Sequence, residues 1–194
     1  MMNINEKTLT KSNSITVISA SRQALPTHSE RVYTLYVCKN PIGKETSGKV
    51  MPAVGHADVP MLLTQMANTL GLTPGAGEIN AMAEDENLYI WYDNGVCAIA
   101  RIAKIGKKYA RINTVFTAPD KRGHGYAGAL VSSLCKKLTE MGLTPTVLAD
   151  ESNPIPNKMY PSLGFTPEGK IYEYLKNGVS HSENAIFNTG HYDE

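Results

Sequence analysis

The sequence predicts a single-domain α/β fold, and three observations support that prediction. Several short stretches alternate apolar and polar residues as β-strands do, and three of them follow one another through two hairpin turns. A glycine-rich segment, residues 122–128 (RGHGYAG), then leads into a helix whose apolar residues are spaced by three and four. The length of 194 residues suits one hydrophobic core.

The strands predicted before the glycine-rich segment share alternating apolar residues, and they are Arg31–Cys38, Lys49–Val54, Asn87–Tyr92, Val96–Ile105 and Tyr109–Thr117. A turn over Pro41–Gly48 separates the first two. The last three are joined by Asp93-Asn94-Gly95 and Gly106-Lys107-Lys108, which favour hairpin turns. The sequence therefore predicts an antiparallel meander ahead of the glycines.

Helices are predicted on both sides of this meander. Asp58 is placed to cap a helix over Val59–Leu70, which Gly71 ends, and a short helix is predicted over residues 78–84. The helix after the glycines has an apolar face formed by Leu130, Leu134, Leu138 and Met141. Gly142 lies where a left-handed C-terminal cap belongs.

The last third of the chain predicts three more elements. They are a strand at Thr144–Ala149, a short helix at Pro154–Leu163 and a final strand near Lys170–Leu175. Pro156 and Pro161 lie within the helical stretch, so this helix should be short or kinked.

Composition limits the possible functions. The chain is 42% apolar without a run long enough to span a bilayer, and 19 Lys and Arg against 18 Asp and Glu argue against nucleic acid as an obligatory partner. Cys38, Cys97 and Cys135 lack metal-ligand spacing and are interpreted as small buried side chains in a reducing compartment. With no secretion signal at the N-terminus, we expect a cytoplasmic protein without a metal.

The glycine-rich segment predicts an anion site, because its exposed N–H groups precede the positive end of a helix dipole. We therefore expect a ligand that carries phosphate. Gly123, Gly125 and Gly128, followed by Asp150, also fit the dinucleotide-binding fingerprint. That interpretation is disfavoured because residues 119–122 separate the strand from the glycines and too few residues follow for the remaining strand–helix units. A P-loop is weaker still, since no Gly-Lys-Ser/Thr follows.

The same segment resembles motif A of the GNAT N-acetyltransferase superfamily, Arg/Gln-x-x-Gly-x-Gly/Ala, with Arg122, Gly125 and Ala127 at its fixed positions. Residues 153–165 (NPIPNKMYPSLGF) resemble motif B, in which an Asn precedes a Tyr by seven residues and the Tyr precedes Gly-Phe by four. Two motifs in this order, about 30 residues apart, make the resemblance specific. It covers roughly residues 58–175 and is poor before residue 50.

The resemblance implies a GNAT acyl-CoA N-acyltransferase fold, with a mixed, mostly antiparallel sheet and helices on both faces. It implies that residues 57–176 form the acetyltransferase domain. Residues 1–56 are then an N-terminal extension with one or two strands packed on that domain, and residues 177–194 are a C-terminal tail.

The resemblance also implies acetyl-CoA as the co-substrate and gives its contacts as Val115, Thr117, Arg122, Gly123, His124, Gly125, Tyr126, Ala127, Gly128, Asn153 and Asn157. In the family the strand before the loop splays from its parallel neighbour, here Thr144–Ala149. Pantetheine then bonds to exposed backbone, which implicates the amides of Val115 and Thr117. Alternative roles stay open for several side chains: Arg122 as a solvated turn residue, Asn153 as a helix cap and Asn157 as a solvated helix residue, with His124 only flanking the loop.

Tyr160 resembles the family's general acid, whose hydroxyl protonates the departing thiolate. A free phenol titrates near 10 and is protonated at neutral pH, as this role requires. Packing of the ring in the core is the alternative. The general base is not identified: Glu78, Glu84 and Asp85 precede the central sheet, and each is more simply explained as a solvated carboxylate.

The function implied by the resemblance is transfer of an acetyl group from acetyl-CoA to an amine by direct attack in a ternary complex. The acceptor, a small molecule or a peptide, is not specified by the family. A related acyl donor or a non-amine acceptor remains open, as does a catalytically silent CoA-binding module that acts as a sensor or interaction partner. We expect a monomer or a homodimer, with no membrane partner.

Overall fold

The computed structural model describes residues 7–11, 14–19 and 28–176, which form one nine-stranded sheet and four α-helices. The strands are β1 (Lys7–Lys11), β2 (Ser14–Ser19), β3 (His28–Cys38), β4 (Lys49–Pro52), β5 (Leu88–Tyr92), β6 (Val96–Ile105), β7 (Tyr109–Thr117), β8 (Thr144–Asp150) and β9 (Phe165–Lys176). The helices are α1 (Val59–Thr69), α2 (Ala76–Ala83), α3 (Tyr126–Glu140) and α4 (Pro154–Ser162), and a 3-10 turn spans Pro119–Lys121.

The strand order in the sheet is β1-β2-β9-β3-β8-β7-β6-β5-β4. Among the described strands, β7 and β8 form the parallel pair and the other neighbours run antiparallel. The predicted mixed, mostly antiparallel architecture is therefore confirmed, together with the meander of β5, β6 and β7.

The N-terminal part of the chain contributes more strands than the sequence predicts. The described part of residues 1–56 holds four strands rather than one or two, and β3 lies between β9 and β8 inside the sheet. The short strands β1 and β2 pair with each other, and β2 also pairs with β9. Division of the chain at residue 56 stays a prediction, and the predicted tail at 177–194 lies outside the described residues.

Helices cover both faces of the sheet, as predicted. One core contains α3 and Tyr160 of α4, and the other contains α1 and α2. Neighbouring residues of β5 face opposite cores, with Ile90 packed against α1 and α2 and Trp91 packed on the α3 side. The three cysteines are buried and free, in agreement with their interpretation as small core side chains. No helix in the described part of the chain has the length and apolar character to cross a membrane.

Two helix ends differ from the predictions. Asp58 holds the N-cap position of α1 but adopts helical dihedral angles and makes no side-chain capping bond, so the predicted cap is wrong. Met141 is 56% exposed, because it follows the last turn of α3 instead of lying on its buried face. Gly142 has a φ of +77°, which confirms the left-handed C-terminal position.

The final strand is longer than predicted. β9 pairs with β3 from Cys38↔Phe165 to His28↔Lys176, with one irregularity, so cross-strand pairing extends it beyond Lys170–Leu175. α4 is nine residues long, which agrees with a short helix limited by its prolines.

Candidate active site

A groove opens where the two parallel strands separate. β7 and β8 pair only at Tyr109↔Thr144, Ala110↔Pro145 and Arg111↔Thr146, so the remaining length of both strands diverges. The predicted splay is thus observed. The groove beside it has a volume of about 1100 Å³. That volume lies just above the usual range for small-molecule sites, so the groove has room for a large ligand.

A β-bulge changes the course of β7 at this groove. Phe116 pairs with Ile99, but the preceding pair joins Asn113 to Arg101, so β7 has one extra residue here. Thr114, within the bulge, has a φ of +54°. This conformation is unfavourable for a β-branched residue, and the surrounding structure must hold it. The bulge therefore sets how the end of β7 faces the groove.

The backbone of Thr117 is available on the groove side of β7. The next residue, Ala118, donates its N–H to the Cys97 carbonyl at 2.9 Å. Because successive residues of a strand point to opposite edges, the N–H and C=O of Thr117 face away from β6. Arg122 Nε donates to that carbonyl at 3.4 Å. Val115 and Thr117 both line the groove, as expected for the edge along which an extended ligand could add.

The glycine-rich loop brings the start of α3 to the same groove. Gly123 and Gly125 have φ values of +83° and +81°, in the left-handed region that favours glycine. α3 begins directly afterwards, and the first N–H groups of a helix have no partner within it. The groove is lined by the predicted loop residues Arg122, Gly123, Gly125, Tyr126, Ala127 and Gly128.

The charged side chains that line the groove are all basic. They are Lys44, Lys121, Arg122 and Lys158, and no Asp, Glu or His side chain lines it in the described part of the chain. Four cations in a groove that also holds the positive end of a helix dipole favour a ligand with several negative charges.

Tyr160 lies on α4 with its ring buried and its side chain at the groove. It is 5% exposed, and its ring centroid lies 6.0 Å from that of Tyr36 and 5.4 Å from that of Phe165. Burial, followed by the nearby Cys135, raises the pKa of Tyr160 well above its ordinary value. Its hydroxyl has no hydrogen-bond partner among the described residues, so a protonated phenol is free to donate to a ligand.

The two asparagines of the second motif have different roles. Asn153 Oδ1 accepts the N–H of Ile155 at 3.1 Å, so it caps α4 while it also lines the groove. Asn157 is not among the residues that line the groove. Its Nδ2 donates to the carbonyls of Asp150 and Asn153 at 2.7 Å each, and its Oδ1 accepts from Tyr36 Oη at 3.1 Å. These bonds join α4 to the end of β8 and leave no donor for a ligand, so the geometry supports a positioning role.

His124 also lies outside the groove lining. Its ring stacks on Tyr126 with 5.5 Å between centroids, and its Nδ1 lies 2.9 Å from the Arg122 carbonyl, to which a protonated nitrogen donates. The histidine therefore contacts the turn and Tyr126 rather than the groove, and a part for it beside the cofactor stays a prediction.

The three carboxylates considered as general bases lie outside the groove, and two of them are bonded to other residues. Asp85 forms an ion pair with Arg101, and Glu78 accepts the backbone N–H of Gly75 at 2.9 Å. Glu84 is exposed at the end of α2. None of the three lines the groove.

Sequence reasoning missed several groove residues. Lys44 comes from the segment predicted only as a turn, Met66 comes from α1, and Leu70 directly follows α1. These contacts join residues far apart in the chain, so no local pattern signals them. Ile155, in the first turn of α4, also lines the groove and is 76% exposed, but a single exposed apolar side chain is ordinary and gives no sequence signal of a site.

Comparisons with known proteins agree with this geometry. The model of the FR47-like protein family matches residues 97–173, which contain both motifs. The chain is similar to a putative GNAT-family acetyltransferase from Novosphingobium aromaticivorans, with a TM-score of 0.62 and 21% identity over 87% of this chain and 75% of that one.

Two further solved structures show the same fold at lower identity. A GNAT-family acetyltransferase from Colwellia psychrerythraea has a TM-score of 0.59 and 16% identity over 76% of this chain and 57% of that one. A GCN5-related N-acetyltransferase from Sphaerobacter thermophilus has a TM-score of 0.59 and 15% identity over 77% of this chain and 52% of that one. The chain thus spans little more than half the length of these two. No curated protein sequence matches it.

Proposed function

The chain has the GNAT fold together with that superfamily's two motifs, and on this premise we propose that it transfers an acetyl group from acetyl-CoA to an amine. The observation that carries the proposal is the groove between the diverging strands β7 and β8. It is lined by four basic side chains and reaches the glycine loop at the start of α3. A thioester donor with a diphosphate and an extended arm matches both its charge and its shape.

The donor would bind along three parts of this groove. Its phosphates would accept from the N–H groups of the glycine loop and pair with Arg122, which is exposed. Its amide-containing arm would lie beside the free edge of Thr117. The exposed Ile155, with Met159 beside it in the lining, would cover the apolar portions of the arm.

Tyr160 would act at the thioester. The amine nitrogen attacks the carbonyl carbon, the carbon–sulfur bond breaks and its electron pair leaves on sulfur. The Tyr160 hydroxyl gives its proton to that sulfur, so CoA departs as a thiol. The proton of the attacking amine leaves to solvent or to a base outside the described lining, because that lining holds no carboxylate or imidazole. Such a mechanism needs no covalent enzyme intermediate.

The acceptor would enter from the side of α1. Met66, Thr69 and Leu70 line the groove, and Met66 packs in the core on the face opposite to Tyr160. The structure does not identify the acceptor. A monomer or homodimer, and a cytoplasmic location, stay predictions. A panel of amines screened for CoA release would identify the acceptor. Binding of acetyl-CoA without turnover on any amine would instead favour the silent module, although a hydroxyl free to donate into the groove favours an enzyme.

Titration of acetyl-CoA by calorimetry tests the donor site. We expect binding by the wild type and loss of binding in Gly125→Glu, since φ is +81° and the new side chain projects against Lys44 at the groove. Gly142→Glu is the matched control, because its φ of +77° imposes similar backbone strain while open space surrounds it outside the groove. No binding by the wild type refutes the proposal, and unchanged affinity in Gly125→Glu places the donor elsewhere.

A further inference from the structure

The segment between β3 and β4 is fixed against the start of α3 by its own hydrogen bonds. The N–H of Lys44 donates to Ser132 Oγ at 3.2 Å, and Ser132 Oγ donates to the Ile42 carbonyl at 3.0 Å. The N–H of Ile42 in turn donates to the carbonyl of Leu163 at 3.0 Å. The backbone that carries Lys44 is thus held between α3 and the end of α4.

The side chain of Lys44 crosses two glycines, the N-cap of α3 and one in its first turn. A Cβ at Gly125 would lie 3.0 Å from Cε of Lys44 and 3.9 Å from Nζ, and a Cβ at Gly128 would lie 3.1 Å from Cδ. Beyond Lys44, Thr46 Oγ1 donates to the carbonyl of His124 at 3.1 Å, so the segment is bonded to the loop as well. The lysine stem therefore occupies the space that the two glycines leave open.

This contact explains a glycine inside a helix. Gly128 lies in the first turn of α3, where glycine is about 1 kcal/mol less favourable than alanine. Its φ is not positive, so the backbone does not require glycine there. An alanine methyl at this position would have to move the Lys44 stem by a few tenths of an ångström.

The ammonium of Lys44 is available to an anion at the groove. Lys44 forms no ion pair and its Nζ no hydrogen bond among the described residues. It lies beside the positive end of the α3 dipole and lines the groove together with Lys121 and Arg122. A multiply charged anion bound in this groove would be attracted by all three side chains and by the helix dipole.

We propose that Lys44 is a phosphate-binding residue, whose ammonium pairs with the diphosphate of the CoA donor from the side opposite the loop amides. The proposal rests on the proposed function, because it takes the donor to be a CoA thioester. It gives the segment between β3 and β4, which lies outside both motifs, a part in donor recognition.

Calorimetry of three donors against matched variants tests this assignment. Lys44→Met keeps the stem and removes the charge, so we expect the Kd for acetyl-CoA to rise about 10- to 100-fold, the range for a charge-assisted hydrogen bond. The same rise is expected for acetyl-dephospho-CoA, which keeps the diphosphate, and no rise for S-acetylpantetheine. Lys44→Arg should retain most of the affinity. Lys136→Met, at an exposed position of α3, should match the wild type.

A second variant shifts the Lys44 side chain without replacing the residue. Gly128→Ala should also weaken acetyl-CoA binding, because the new methyl group displaces the Lys44 stem, while alanine in a helix maintains the unfolding temperature. Equal affinity of Lys44→Met and wild type for acetyl-CoA overturns the assignment and leaves the proposed function standing. A loss that disappears with acetyl-dephospho-CoA overturns the diphosphate as the partner. Failure of the wild type to bind acetyl-CoA removes the premise and with it both proposals.

Discussion

Replacing Tyr160 with phenylalanine separates chemistry from packing at the candidate active site. The ring is 5% exposed and packs against Tyr36 and Phe165, and phenylalanine preserves those contacts. Only the hydroxyl is removed. If that hydroxyl protonates the leaving thiolate, Tyr160→Phe should lower kcat about 100-fold and leave the affinity for acetyl-CoA nearly unchanged.

The structure fixes the expected size of each effect. A 100-fold loss corresponds to about 2.7 kcal/mol of activation free energy. The Tyr160 hydroxyl has no hydrogen-bond partner among the described residues, so its removal breaks no such bond. The free energy of unfolding should therefore stay within about 1 kcal/mol of the wild type, the size of a typical hydrogen bond's contribution.

Tyr36→Phe is the matched control, because it makes the same change in the neighbouring ring. Its hydroxyl donates to Asn157 Oδ1 at 3.1 Å and does not line the groove. This control should lower the free energy of unfolding by about 1 kcal/mol through the lost hydrogen bond, with a much smaller change in kcat. Urea unfolding and steady-state CoA release measure the two quantities.

The opposite pattern would refute the reasoning. Equal turnover by Tyr160→Phe and wild type would leave Tyr160 with a packing role only. A pH profile adds an independent check: burial raises the pKa of Tyr160, so the phenol should stay protonated past its ordinary pKa near 10, and kcat should not fall there through its ionisation.

Three other substitutions have outcomes that the structure predicts. Arg122→Ala should weaken acetyl-CoA by about 1.5–3 kcal/mol but S-acetylpantetheine hardly at all, with a smaller difference at high salt; equal losses in calorimetry would reduce Arg122 to a turn residue. Gly164→Ala should destabilise the fold far more than Gly142→Ala in urea unfolding, because both have positive φ but the new methyl at Gly164 would lie 2.2 Å from the Asn40 carbonyl oxygen. Burial raises the pKa of Asp85, but the Asn87 N–H and Arg101 outweigh this and hold it below its ordinary value. Asp85→Asn should therefore be less stable than the wild type at pH 7, and that difference should shrink as the pH falls below about 4; a difference independent of pH would contradict the ion pair's contribution.

Elements with strong local signals could be predicted closely. The bounds of β6 and β7 agree with the sequence prediction, since alternation and two hairpin turns define them within a few residues. The start of β9 was missed because pairing with β3 extends it beyond its own apolar pattern. The strands β1 and β2 were also missed, although Ile15 and Val17 of β2 alternate with polar residues. The cap predicted at Asp58 failed for a related reason: a favourable residue type does not fix the dihedral angles that a cap needs.

For the site, the sequence by itself determined the local pieces. Glycines at 123 and 125 permit the left-handed turn before α3, and the spacing from Asn153 to Tyr160 places both on one short helix that follows β8. Only the tertiary structure decided that Tyr160 has a buried ring with a free hydroxyl and that Lys44 crosses the glycines. The physical reason is range: turn geometry and periodicity depend on residues a few positions apart, whereas the bond from Ser132 to Ile42 joins residues 90 positions apart and forms only when the whole sheet has assembled.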